Sequence, residues 1–190
     1  MATAKSLTPA EIQKVLAYIS TQANAQRNRA MFCITVLAGL RVSEVAGLTI
    51  GDVRDADGTV KTEIYLSADR VKHGHARTIY LNQRLQAEIA DYTAERTWLF
   101  ESQPLFCTNR GLRHAFTANT LTQHFHYLYK RAGVAGASSH SGRKTFITSL
   151  ASQGISVFVL ASLAGHKSIS TTQRYVSVND EMKRRAVELV

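Results

Sequence analysis

The chain has 190 residues, 45% of them hydrophobic, which suits one domain able to bury a core without disulfide or metal staples. Lysine and arginine total 23 against 14 aspartates and glutamates, a net charge of +9. That excess draws polyanions, with DNA or RNA first through phosphate neutralisation, and leaves open a basic enzyme with no nucleic-acid role. No apolar run approaches the ~18 residues of a membrane span, and MATAKSLTPAEI lacks the apolar region and cleavage site of a signal peptide, so a cytoplasmic protein is expected.

Helix dominates the predicted elements. Thr8, Pro9 and Glu11 combine a capping box with proline at the first helical position, and Ile12, Val15, Leu16 and Ile19 follow at helical spacing. A second helix is predicted from Asn24 to Ala38, with Met31, Ile34, Thr35 and Leu37 inward and Gly39 as its stop. A short helix is predicted from Arg41 to Leu48. Between Thr62 and Leu81 the composition shifts to β-formers. Glu63–Ser67 and Arg77–Leu81 read as a hairpin turning near Gly74, with a third strand near Val60. Asn82 caps a helix running to Trp98, and a loop holds Pro104 to Asn109. Further helices are predicted from Asn119 to Ala132, from Ser141 to Ser152 with Gly154 as its stop, and from Ser156 to Ala164, ended by Gly165. Ser168 or Ser170 opens a short turn before Tyr175, and a last helix runs from Asn179 to Val190. Cys33 and Cys107 sit in apolar runs without Cys-x-x-Cys spacing and read as reduced, buried thiols. The fold class is mainly α with a small antiparallel sheet.

Five patches carry chemistry. In AGLRVSE (38–44), Arg41 follows an apolar helix and a glycine, and Glu44 stands one turn on, placed to hold the guanidinium. Arginine suits phosphate because its planar fork donates paired hydrogen bonds and keeps its charge. Lys72 stands on the hairpin turn within VKHGHARTIYL. In HSGR (140–143), His140 and Arg143 lie three apart at a helix start, where both would point at one site. LAGH (163–166) places His166 just after a helix-ending glycine, and Tyr175 follows nine residues later. Each patch also has a plain structural reading: a surface ion pair, a solvated turn lysine, a capping histidine, a packed tyrosine. His124 and His126 stand two apart on a helix and point away from each other, which argues against a metal site.

The order and spacing of the five patches resemble the tyrosine recombinase (phage integrase) family, whose signature is Arg, a hairpin Lys, His-x-x-Arg, His or Trp, then Tyr. The resemblance runs from about Thr8 to the C-terminus. It implies the catalytic-domain fold and a catalytic set of Arg41, Lys72, His140, Arg143, His166 and Tyr175, supported by Glu44. HSGRK departs from the pattern, with Gly142 and Lys144 where many members carry Leu and His. These positions flank the catalytic pair, so activity is expected to survive. Most members also carry an N-terminal core-binding domain. The expectation here is one catalytic domain over residues 1–190 without it, as in the fimbrial-switch invertases or an excised fragment.

The resemblance further implies a reaction. Tyr175 attacks a DNA phosphodiester and forms a 3′-phosphotyrosyl link, and a 5′-hydroxyl from a partner strand later reverses the step. Arg41, Arg143 and His166 hold the phosphorane, His140 is the candidate base and Lys72 the candidate acid. No metal or other cofactor is expected. The expected partners are double-stranded DNA, a homotetramer on two DNA sites built from a monomer off DNA, and accessory DNA-binding proteins, with no membrane role. A nucleoid-associated protein is therefore expected. The competing reading is a non-catalytic helix-turn-helix regulator, because residues 157–175 place an apolar helix, a glycine turn and a Ser/Thr-rich helix in succession.

Overall fold

The computed structural model describes residues 4–71, 76–94, 100–109, 114–176 and 180–188. The first helix, α1 (Pro9–Ser20), starts on the expected capping box. Thr8 Oγ1 accepts from the Glu11 backbone N–H at 3.2 Å, and the Glu11 carboxylate accepts from Thr8 N–H at 3.0 Å. Its apolar stripe buries Val15, Leu16 and Ile19.

Helix α2 (Ala25–Leu37) is the axis of the molecule. Its buried residues, Arg27, Asn28 and Ala30 to Thr35, cover every side, as expected of a helix enclosed by others. Against it pack α1, α5 (Gln83–Thr93) and α7 (Ser141–Ser152). Helix α6 (Ala118–Arg131) closes the core from α1, with Tyr129 meeting Phe32 edge-on at 6.3 Å. Both cysteines are buried and outside any disulfide among the described residues, and burial pushes the Cys33 thiol up to about 12, which keeps it an inert packing group.

Two expectations need correction. The helix expected over Arg41–Leu48 is shorter, α3 (Val42–Ala46), because Gly47 ends it. An unforeseen α4 (Ile50–Val53) follows, its first turn held by the Asp52 carboxylate, which accepts from Thr49 N–H at 2.7 Å. The third strand near Val60 reduces to one isolated bridge, Arg54 to Val60. The tight turn through Gly58 (φ +86°) reverses the chain there, and Gly58 N–H donates to the Asp55 carbonyl at 2.9 Å. Helix α5 ends at Thr93, while the predicted end at Trp98 lies outside the described residues.

The hairpin itself is present. Strands β1 (Glu63–Leu66) and β2 (Arg77–Tyr80) pair antiparallel, Glu63 opposite Tyr80 and Leu66 opposite Arg77. The two-residue period puts Ile64, Leu66 and Ile79 into the core and leaves Tyr65 and Tyr80 outside. Arg77 shares the inward phase of Ile79, a charge on a core-facing position.

The C-terminal third supplies α8 (Val157–Ala164), α9 (Ile169–Gln173) and α10 (Asp180–Val187). Met182 and Ala186 of α10 line a groove of about 390 Å³ with Ser152, Gln153 and Gly154 at the end of α7.

Candidate active site

Two glycine turns and one strand converge to build the site. At the first turn, Gly39 adopts φ +66° after α2, and a Cβ there would lie 2.4 Å from the Phe146 ring. The chain then rises extended into Arg41, the residue before α3. Glu44, one turn into α3, reaches back to accept from the Arg41 backbone N–H at 2.7 Å and from Arg41 Nη1 at 2.9 Å. The support role expected of Glu44 therefore has a geometric basis.

At the second turn, α8 ends on Gly165 in the left-handed region (φ +58°), and His166 N–H donates to the Ala161 carbonyl at 2.9 Å. The carbonyls freed at this negative helix end attract cations. Arg41 Nη2 donates to the Gly165 carbonyl at 3.3 Å, and Arg143 Nη2 donates to the Ala164 carbonyl. The other Arg143 arm, Nη1, donates to the Gly39 carbonyl at 2.7 Å. Arg143 thus ties the two turns together from the first turn of α7.

The close approach of α7 to α2 depends on Gly142, where a Cβ would stand 2.1 Å from Thr35 Oγ1. Thr35 fills the space that a leucine at position 142 would need, which explains one of the two departures from the family pattern.

The strand contribution is Arg77, which sequence reasoning missed. Its Nη1 and Nη2 donate to the two Glu44 oxygens, both at 2.7 Å, with the side chains 8% and 1% exposed. Gly165 makes room for it: a Cβ there would lie 2.7 Å from Arg77 Cδ. A signal was present, since a charge in phase with Ile79 on a hairpin must find a buried counter-ion. Burial works against ionisation of Glu44, but hydrogen bonds from Arg77 and the Arg41 backbone outweigh it and hold the carboxyl below its usual range.

His166 and Tyr175 complete the cluster. The His166 ring lies near-parallel to Tyr175, centroids 6.1 Å apart, and its Nδ1 meets Thr172 Oγ1 at 2.8 Å. Tyr175 N–H donates to the Thr172 carbonyl at 2.9 Å, so the end of α9 fixes the tyrosine backbone. Burial, and then the charges of Arg143, Arg41 and Arg77, push His166 down to about 4, leaving it neutral at pH 7. Burial, and then Arg41, also press the Arg143 guanidinium down to about 9, with Glu44 opposing.

Arg41 and Arg77 share the Glu44 carboxylate, while Arg143 is held by backbone carbonyls, so three guanidiniums face one carboxylate and two positive charges are left over. An entering oxyanion would relieve that excess, and a pentacoordinate phosphorane carries the charge to do so.

The structure thus brings together Arg41, Glu44, Arg143, His166 and Tyr175. His140 stands exposed at the residue before α7, its backbone N–H donating to Ser138 Oγ at 3.3 Å. Lys72 lies outside the described residues. Among the described residues no group of three or more His, Cys, Asp or Glu is placed to hold a metal, and no helix is long and apolar enough to cross a membrane. The helix-turn-helix reading fails on geometry. Helix α9 has five residues, little more than one turn, which is shorter than a recognition helix needs, and its buried Thr172 meets His166.

Known proteins resemble the chain in sequence and in fold. The profile described as the phage integrase family matches residues 5–182. Tyrosine recombinase XerA of Pyrococcus furiosus is 31% identical over 97% of this chain and 61% of its own length. Tyrosine recombinase XerC of Pelobacter propionicus is 32% identical over 80% of this chain and 48% of its own. The chain therefore spans about half to three-fifths of the curated relatives it matches. Among solved structures, the Tn1549 transposon integrase in complex with a circular intermediate DNA superposes with a TM-score of 0.80. It is 23% identical over the whole of this chain and 67% of that one, a likeness in fold.

Proposed function

The chain belongs to the phage integrase family, and from that premise we propose that it cuts and rejoins double-stranded DNA site-specifically, with Tyr175 as nucleophile. The observation that carries the reading is the stacking of Tyr175 on His166 beside Arg41 and Arg143. A tyrosine hydroxyl is protonated at neutral pH and needs a cationic neighbourhood and a base to attack. The phenol oxygen adds to the phosphorus, and its proton passes to a base, for which His140 is the candidate. Arg41 and Arg143 donate to the non-bridging oxygens, and neutral His166 adds a hydrogen bond. The P–O5′ bond then breaks as Lys72 protonates the leaving oxygen, giving a 3′-phosphotyrosyl link and a free 5′-hydroxyl. Attack by a partner strand's 5′-hydroxyl reverses the step, so the bond energy is conserved.

The relatives, named as tyrosine recombinases, support the recombinase reading, and the net charge of +9 suits DNA. The active assembly in this proposal is a tetramer on two sites, formed from monomers and aided by accessory DNA-binding proteins, at the nucleoid. The test is incubation in EDTA with a library of nicked suicide duplexes randomised across the nick, followed by a denaturing gel. A covalent protein–DNA band supports the proposal, whereas binding without any covalent band contradicts it.

A further inference from the structure

We infer that Thr172 is a positioning residue that fixes the tautomer of His166, holding the ring proton on Nε2 where a phosphate oxygen can receive a hydrogen bond. The inference rests on the recombinase reading for its consequence, but its geometry stands alone. Thr172 is fully buried, and His166 Nδ1 at 2.8 Å is the partner of its hydroxyl among the described residues. Two arrangements are open to this pair. If Nδ1 carries the hydrogen and the hydroxyl accepts, the hydroxyl's own hydrogen is stranded in a site without water access. If the hydroxyl donates to a bare Nδ1, both groups are satisfied, and the ring hydrogen must sit on Nε2. A buried donor with one available acceptor selects the second arrangement.

The neutrality of the ring makes the choice matter. Burial, and then the three guanidiniums around it, push His166 down to about 4, so at pH 7 only one of its two nitrogens carries a hydrogen. In the other tautomer Nε2 would turn a lone pair toward an incoming oxyanion and repel it. Placement adds a second function. Thr172 lies on α9, and its carbonyl holds the Tyr175 backbone at 2.9 Å. One residue therefore couples the seat of the nucleophile to the donor state of the histidine stacked on it, so α9 must be in place before His166 is locked as a donor.

The direct experiment is 15N NMR of the DNA-free chain, with the His166 signals identified by their loss in His166→Gln. The expected spectrum has a protonated, pyrrole-type Nε2 and a bare, pyridine-type Nδ1. The reverse pattern overturns the inference. Thr172→Ser should keep the pattern, and Thr172→Val should give exchange between the two tautomers. An unchanged spectrum in Thr172→Val also overturns it.

On whichever duplex the unaltered chain captures, Thr172→Val should slow adduct formation roughly 10–100-fold, the loss seen when metal-bound imidazoles lose the partner that orients them. Thr172→Ser should restore the rate. In a His166→Ala background, Thr172→Val should cost nothing further, whereas an undiminished loss there would mark a merely structural role. Should Thr172→Val not fold, the spectra of the unaltered chain and Thr172→Ser still decide. Should no duplex be captured, the recombinase reading fails while the tautomer is still read.

Discussion

Replacing Arg77 by methionine tests the idea that the hairpin, through Glu44, sets the position of Arg41. The substitution keeps an unbranched apolar stem and deletes two hydrogen bonds of 2.7 Å to a carboxylate that is 1% exposed. Breaking a buried ion pair on one side costs ~3–5 kcal/mol, because the surviving charge is left without its partner. Glu44 keeps its bonds from the Arg41 backbone and from Arg41 Nη1, so the lower end applies, about 3 kcal/mol. For a domain of this size that is a fall of roughly 6–12 °C in melting temperature.

The pH dependence carries the sign. Glu44 sits below its usual range when folded, so its stabilisation is complete above the unfolded carboxyl pKa and is lost as pH falls through the lower folded value. Without Arg77, burial of Glu44 is opposed by less and that acid loss should shrink. Urea unfolding of both proteins at pH 7 and pH 4 reads both effects. A destabilisation below about 1 kcal/mol, the range of an exposed pair, would refute the reasoning.

Four other outcomes are expected. Tyr175→Phe should retain DNA binding in a gel-shift assay and give no covalent band. Lys72→Ala should slow cleavage of ordinary DNA but regain most of the rate on a 5′-bridging phosphorothioate, whose sulfur leaves without a proton. Burial first, with nearby arginines, lowers both His124 and His166 to about 4. The unfolded chain therefore takes up those protons near pH ~6.5 while the folded chain does not, so the urea midpoint should fall steadily from pH 6.5 toward 4 and be flat just above that window. Gly142→Ala should destabilise by about 1–3 kcal/mol, since its Cβ would stand 2.1 Å from Thr35 Oγ1, and a Thr35→Ala change should recover part of the loss on thermal melting.

The parts of this fold legible in the sequence are those governed by local chemistry. Thr8, Ser156 and Gly165 mark helix ends through interactions within one turn, and each acts as expected. The β-formers of Glu63–Ser67 and Arg77–Leu81 marked the hairpin for the same reason. The third strand near Val60 was not legible as absent, because its pairing depends on where the chain goes after Gly58. In the candidate site, Arg41, Glu44, Arg143, His166 and Tyr175 were singled out by order and spacing, and the structure brings them together. Arg77 and Thr172 were not singled out, because their roles exist only once β2 and α9 are packed against Gly165 and His166. In the sequence Arg77 is simply the first residue of a β-rich run, and Thr172 one of several hydroxyls in a Ser/Thr-rich segment. What distinguishes them is burial, which the phase of Arg77 with Ile79 signals and nothing in the spacing signals for Thr172.

The central claim is that Tyr175 becomes bonded to DNA. The most direct measurement is mass spectrometry of the peptide that remains attached after a captured suicide duplex is digested, in EDTA throughout. The account predicts a phosphodiester-linked nucleotide on Tyr175, joined through the 3′-phosphate. Attachment at another residue, or through a 5′-phosphate, would contradict it.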